Sequence, residues 1–243
     1  MAQRSTGVQD PRDTLLARAA AVVHRLTVVT LLMALTTAPG YLLFMLLARH
    51  PANLVPAVLC LLPVGPAFCA GIFALHRGEP DGDLAPLRTF LRGYRLGALA
   101  ALRLWAPALA VLGVLAVNVR YVGLAAVPEG FELVMLVIGA LVVVWVVHAS
   151  VITALFSFRT RDVARLAAHY LVARPLATLG VLSYTVLGAA AVYLAGDWVV
   201  AVLGGLLVLG LLRTHRPVIR DVTSRFTAPA PTSPAGRVGG AGQ

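Results

Sequence analysis

The sequence predicts an all-α fold, a polytopic membrane helical bundle with six transmembrane helices and both termini cytoplasmic. Three observations lead there. Of the 243 residues 59% are hydrophobic and only 12% charged, with a mean hydropathy of +0.87. An ordinary soluble domain is about 25% charged, so this chain has too little charge to cover a water-facing surface. Six stretches are each apolar over about the 20 residues that a helix needs to cross a hydrocarbon core of about 30 Å. The basic residues, all of them arginine, fall almost entirely in alternate loops. Together these features exclude a soluble globular enzyme, a disordered chain and a disulfide scaffold.

The chain divides into a cytoplasmic amphipathic segment over 1–25, a six-helix transmembrane domain over 26–212 and a cytoplasmic disordered tail over 213–243. The first segment opens on Asp10 and Pro11, a good N-cap and first-turn pair. It carries Leu15, Leu16, Ala19, Val22 and Val23 between Arg12, Arg18 and Arg25. Leu26–Leu35 resembles the apolar region of a secretory signal, but the apolar run resumes at Tyr41 and is long enough to span. The spans are expected over 26–48, 53–75, 96–118, 131–156, 176–195 and 197–212. The last is short. None has the alternating polarity of a barrel strand, so helices are the way to satisfy every backbone group in lipid.

Arginine counts test this threading. Arg4, Arg12, Arg18 and Arg25 precede span one; Arg77, Arg88, Arg92 and Arg95 lie between spans two and three. Arg159, Arg161, Arg165 and Arg174 lie between spans four and five, and Arg213, Arg216, Arg220, Arg225 and Arg237 follow span six. The opposite side receives only Arg49 and Arg120, and Arg103 falls within a span. By the positive-inside rule the arginine-rich side is cytoplasmic. Arginines interleaved with apolar runs point to anionic lipid head groups, not to nucleic acid. Arg88, Arg92 and Arg95 run beside Leu84, Leu87, Leu91 and Tyr94; Arg161, Arg165 and His169 run beside Val163, Leu166 and Tyr170. Such helices either lie along the bilayer surface with Arg88, Arg92, Arg95, Arg161 and Arg165 reaching the phosphates, or pack on the cytoplasmic ends of the bundle. The two hairpins, spans two and three and spans four and five, resemble each other coarsely. Past Phe226, Ala-Pro-Ala-Pro-Thr-Ser-Pro-Ala-Gly and a Gly-rich end have nothing to bury and read as disordered.

Few residues offer chemistry. Pro63, Gly65 and Pro66 should kink or unwind span two, since proline removes a helix hydrogen bond and clashes with the preceding turn. A broken helix either binds a solute through freed backbone groups or shapes packing. Gly93, Gly97 and Ala101 stand four residues apart and form a small-residue stripe for close helix contact. Arg103 lies about 12 Å by helical rise beyond Arg95 and can snorkel to the cytoplasm. His148 should sit at a similar depth, so the two form a candidate intramembrane polar contact. Arg120, Glu129, Glu132 and Asp197 read as solvated charges at the outer rim. Cys60 and Cys69 are too far apart along one helix to pair, and have no metal-ligand spacing.

No zinc-protease, nucleophile-elbow or phosphate-loop motif occurs. Asp81-Gly82-Asp83 matches the start of a lipid phosphotransferase motif without its arginine or later aspartates. Glu132 and Asp197 stand at the very ends of their spans and no acid falls in the interior of any, which argues against a proton pump built on a buried carboxylate. No catalytic, metal or cofactor site is assigned. An intramembrane enzyme would have only Arg103 and His148 to work with.

Leu62-Pro-Val-Gly-Pro-Ala-Phe-Cys-Ala-Gly-Ile-Phe-Ala-Leu75, then Phe90-Leu-Arg-Gly-Tyr-Arg95, then Leu104-Trp-Ala-Pro107 resembles the YesL-like family of bacterial integral membrane proteins. The resemblance covers residues 20–215, with its specific part at 62–107. The family often has a polar residue just after the Arg-Gly-aromatic stretch, where this chain has Gly97. The family has no established biochemical activity, and its members occur beside carbohydrate uptake systems. The resemblance therefore implies a bacterial cell-membrane protein, non-enzymatic, accessory to sugar import, with importer membrane subunits as partners. The all-arginine, alanine- and valine-rich composition fits a GC-rich actinobacterial source. The alternative is a transporter or permease subunit that moves a small solute itself. An ATP-driven importer permease should show a Glu-Ala-Ala-x-x-x-Gly coupling helix, and the nearest stretch, Arg165–Tyr170, lacks the acid and the glycine.

Overall fold

The computed structural model describes residues 11–48, 50, 53–77, 85–122, 128, 130–196 and 198–226. Among them there is no strand, and helices follow one another as α1 (Pro11–Leu46), α2 (Leu54–Leu61), α3 (Val64–His76), α4 (Ala85–Tyr121), α5 (Phe131–Leu155), α6 (Thr160–Ala173), α7 (Pro175–Ala195), α8 (Trp198–Thr214) and α9 (Arg216–Phe226). Five segments are long and apolar enough to cross a membrane alone: Ala19–Leu46, Leu54–His76, Ala85–Tyr121, Phe131–Leu155 and Pro175–Ala195. The sixth crosses only if α8 and α9, bent by 53° at their junction, count together. The 17 residues of α8 rise about 25 Å, short of a core of about 30 Å. The protein is thus a multi-pass helical membrane bundle of five to six spans.

Three expected boundaries move. The amphipathic segment before residue 26 does not form its own helix: α1 runs unbroken from Pro11 to Leu46. Likewise the stretch carrying Arg88, Arg92 and Arg95 is the first part of α4. Nothing in Ala85–Leu96 stops a helix once begun, and its buried face, Phe90, Gly93, Ala101, Leu104 and Ala108, runs straight into the span. At 37 residues, about 55 Å by rise, α4 must project beyond the bilayer. Leu91, expected on the apolar face, is exposed, and Phe90 is fully buried in its place.

The fourth loop does form its own helix, α6, and it packs on the bundle. Val163, Ala167 and Tyr170 are buried against Leu104, Ala149, Ile152 and Ala177. Leu166 is half-buried at the edge of this cluster. All of Arg88, Arg92, Arg95, Arg161 and Arg165 are exposed.

The tail boundary at residue 213 is wrong, because the chain stays helical to Phe226. Leu211, Leu212, His215, Val218 and Val222 are buried at spacings of three and four, so α9 has a core-facing stripe. The expected N-cap at Asp10, Leu84, the Asp81–Asp83 stretch, Arg49, Glu129, Asp197 and the tail past Phe226 lie outside the described residues.

Burial is concentrated at one end. It covers Gly65–Leu75 of α3, but stops after Ala108 on α4, begins only at Val144 on α5, and is confined to Ala177 and Val181 on α7. Contacts between elements show that these parts share one end of the bundle. The Arg25 guanidinium of α1 donates to the Ala74 carbonyl of α3, Phe73 of α3 lies on Gly93 of α4, and the Trp145 indole of α5 donates to the Ala164 carbonyl of α6 at 3.1 Å. This is the end that carries the arginine-rich loops. Away from it the helices keep broad apolar faces, among them Leu42, Leu46, Leu133, Leu136 and Leu194, all more than half exposed. Lipid is the natural solvent for such faces.

Candidate functional site

Three polar clusters occupy the packed end, each built on helix positions that turn inward. The first centres on His148, 1% exposed on the buried face of α5. Its Nδ1 lies 2.9 Å from Nε2 of His215, the residue at the α8–α9 bend, which is itself fully buried. The two rings meet edge to face, with centroids 4.8 Å apart. Nδ1 of His215 is 2.9 Å from the Leu211 carbonyl, and Nε2 of His148 is 3.4 Å from the Thr178 hydroxyl of α7. That hydroxyl donates to the Leu171 carbonyl at 2.9 Å.

The carbonyl of Leu211 can only accept, so with both rings neutral His215 carries its proton on Nδ1 and accepts at Nε2. His148 then donates from Nδ1 and keeps Nε2 as an acceptor, so its 3.4 Å approach to Thr178, whose one proton goes to the Leu171 carbonyl, is a polar contact and not a hydrogen bond. The chain of hydrogen bonds has one direction and ends on a backbone carbonyl. It fastens α5 to the α8–α9 bend, with Thr178 of α7 in contact beside it.

The second cluster fixes α9. The Tyr170 hydroxyl of α6 donates to Asp221 at 2.8 Å, and Arg174, at the α6–α7 joint, pairs with the same carboxylate at 3.4 Å. Arg174 is 43% exposed and Asp221 17%, so water screens the pair and the tyrosine bond is the more specific tie.

The third cluster joins α3, α4 and α5. The Trp105 indole donates to the Ser150 hydroxyl at 3.0 Å, and that hydroxyl donates to the Val146 carbonyl at 2.7 Å. The Cys69 thiol lies 3.7 Å from the Ser150 carbonyl. Gly65 sits on the Trp105 ring: a Cβ there would come within 2.5 Å of Cγ. Phe68 meets the same indole edge-on at 6.1 Å. The motif over 62–75, Gly93 and Trp105 are thus one packing unit, and the break at Pro63 between α2 and α3 lets Gly65 reach it.

Arg103 and His148 do not come together. The buried face of α4 carries Ala101, Leu104 and Ala108; at 100° per residue Arg103 points away from it, and its side chain is exposed. His148 takes His215 and Thr178 in its place. The small-residue stripe is interrupted. At Gly93 a Cβ would lie 2.7 Å from Phe73, and Ala101 is fully buried, but at Gly97 nothing stands within 4 Å. Arg120 and Glu132 are exposed, as rim charges should be.

His215 and Asp221 escaped the sequence reading because both fell in the stretch assigned to the tail. The apolar spacing of Leu211, Leu212, Val218 and Val222 was the signal that places them on a packed helix. Among the described residues no buried side-chain nitrogen or oxygen lacks a partner, and no three metal-ligating side chains converge.

Two cavities open on the apolar faces. One, of about 790 Å³, lies between α1, the α2–α3 break and α8, lined by Thr30, Met33, Thr37, Tyr41, Cys60, Phe68 and Leu207 among others. The Thr30 and Thr37 hydroxyls already donate to carbonyls of their own helix. The other, of about 540 Å³, lies at the far end between α1, α2 and α4. No family model, curated protein or solved structure matches this chain.

Proposed function

We propose that this chain is a non-enzymatic membrane component, accessory to a transport system, that works through contacts with other membrane proteins and with anionic lipid head groups. The observation that carries the reading is what the polar side chains at the centre of the packed end do: each is engaged with a neighbouring helix or with a backbone carbonyl. His148, His215, Thr178, Ser150 and Trp105 bond one another or backbone carbonyls, which leaves a rigid base with exposed arginines and long apolar helix faces beyond it. That base fits a docking and anchoring role better than catalysis. The asymmetric arginine distribution supports a cytoplasmic position for the base, in a bacterial cell membrane. The link to carbohydrate uptake, and to importer subunits as partners, rests on the YesL-like resemblance of residues 62–107.

A second reading, transport by the chain itself, has the 790 Å³ cavity beside the α2–α3 break in its favour. A sugar, however, needs several converging polar groups, and the two threonines that line this cavity already donate to their own helix. Purified protein in liposomes should move no labelled sugar unaided, and pull-down from its native membrane should recover importer subunits. Unaided flux overturns the accessory reading and establishes the second.

A further inference from the structure

The 540 Å³ cavity joins an apolar floor to a guanidinium, on the arginine-poor side of the bundle. Its floor is made by Leu54 and Ala57 of α2 and by Gly113, Ala116 and Val117 of α4. Gly113 permits the close approach of the helices there: a Cβ would meet the Leu54 Cδ1 at 2.6 Å. Seven residues further along α4, about 10 Å by helical rise, Arg120 borders the same cavity with Tyr121 and, across it, Asn53. The Asn53 amide is engaged, donating to the Ala48 carbonyl at 2.8 Å. Arg120 is exposed and makes no hydrogen bond or ion pair with any described residue. Among the described residues no carboxylate borders the cavity.

A site of this volume lies within the roughly 300–1,000 Å³ of ligand-binding clefts. A guanidinium with no partner among the described residues at its rim, and an apolar trough leading toward the membrane interior, select a ligand with an anion at one end and a hydrocarbon chain at the other. The trough opens among lipid-facing helix surfaces, so such a ligand can enter sideways from the bilayer. We propose that this cavity binds an anionic phospholipid, its phosphate on Arg120 and part of one acyl chain along Ala57, Gly113 and Ala116. The site lies at the opposite end of the molecule from the polar clusters and is independent of the accessory role.

The full-length protein, reconstituted in nanodiscs of mixed phosphatidylglycerol and phosphatidylcholine, tests this with acyl-chain photo-crosslinking probes of each lipid. Labelled peptides should map to 44–57 and 113–121, with phosphatidylglycerol favoured about fivefold, the effect of one arginine beside an anionic surface. Arg120→Gln should abolish that preference while labelling persists, and Arg120→Lys should keep most of it. Ala116→Phe, at an exposed helix position, should fill the trough and cut labelling by both lipids, leaving crosslinks at the arginine-rich end as controls. Equal labelling by the two lipids in the unmodified protein overturns the proposal. So does a preference that survives Arg120→Gln, or labelling that Ala116→Phe leaves unchanged.

Discussion

Replacing His148 by phenylalanine keeps a ring on the buried face of α5 but removes the donor that faces Nε2 of His215. That nitrogen, fully enclosed, is left without a partner, which costs about 1–3 kcal/mol in a protein interior. Hydrogen bonds between membrane helices average only about 0.6 kcal/mol and reach about 1.7, so a loss of about 1–2 kcal/mol is expected. Thr178 adds little, because its hydroxyl still has the Leu171 carbonyl. His215→Phe should cost a similar amount by orphaning Nδ1 of His148. The double variant differs in kind. The Leu211 carbonyl still accepts the backbone N–H of residue 215 at 2.9 Å, so no polar group is stranded. Two phenylalanines can keep the edge-to-face geometry already present between the rings. It should therefore lie within about 1 kcal/mol of the unmodified protein, a coupling of about 1–3 kcal/mol between neighbours. Reversible unfolding in mixed micelles, followed by circular dichroism for all four proteins, measures the cycle. Losses that simply add, within about 0.5 kcal/mol, would refute the hydrogen-bonded pair.

Further outcomes follow from the same contacts. Arg103→Ala should change stability by less than about 0.5 kcal/mol, because the side chain is exposed and faces away from the core; a larger loss in the same unfolding assay would restore a buried role for it. Gly93→Ala should destabilise by about 1–3 kcal/mol through the clash with Phe73, whereas Gly97→Ala, which meets nothing, should be neutral or gain up to about 1 kcal/mol of helix propensity. Equal effects at the two glycines would contradict the interrupted stripe. Gly65→Ala should push on the Trp105 ring and shift its fluorescence; an unchanged spectrum would count against that contact. Asp221→Asn should cost about 1 kcal/mol and make the α8–α9 junction easier to cleave in limited proteolysis, the reverse of what a free tail would show.

Much of the fold was legible because each long apolar run has only one economical form in lipid. Ala19–Leu46, Phe131–Leu155 and Pro175–Ala195 match expected spans within a few residues, apart from the earlier start of the first. The errors came where hydropathy is silent. Charge made Ala85–Arg95 look like a separate surface helix, but the helix carries through that stretch, and through Pro107 beyond it, to Tyr121. Arginines also disguised α9 as tail, although Val218 and Val222 repeat at helical spacing. The proline-rich break and the Gly93 contact were readable because proline and glycine act locally. The partner of His148 was not, because it depends on how α5 and α8 are rotated, and hydropathy at one depth cannot separate Arg103 from His215.

Site-specific labelling tests the threading most directly. With Cys60 and Cys69 replaced, single cysteines at Arg88, Arg165, Ser224 and Arg120 can be probed in intact cells with a membrane-impermeant maleimide. Labelling at position 120 alone, with 88, 165 and 224 reacting only after the membrane is opened, is the expected result. Reaction of position 224 or 165 in intact cells, alongside 120, would contradict a bundle whose packed, arginine-rich end lies wholly on the cytoplasmic side.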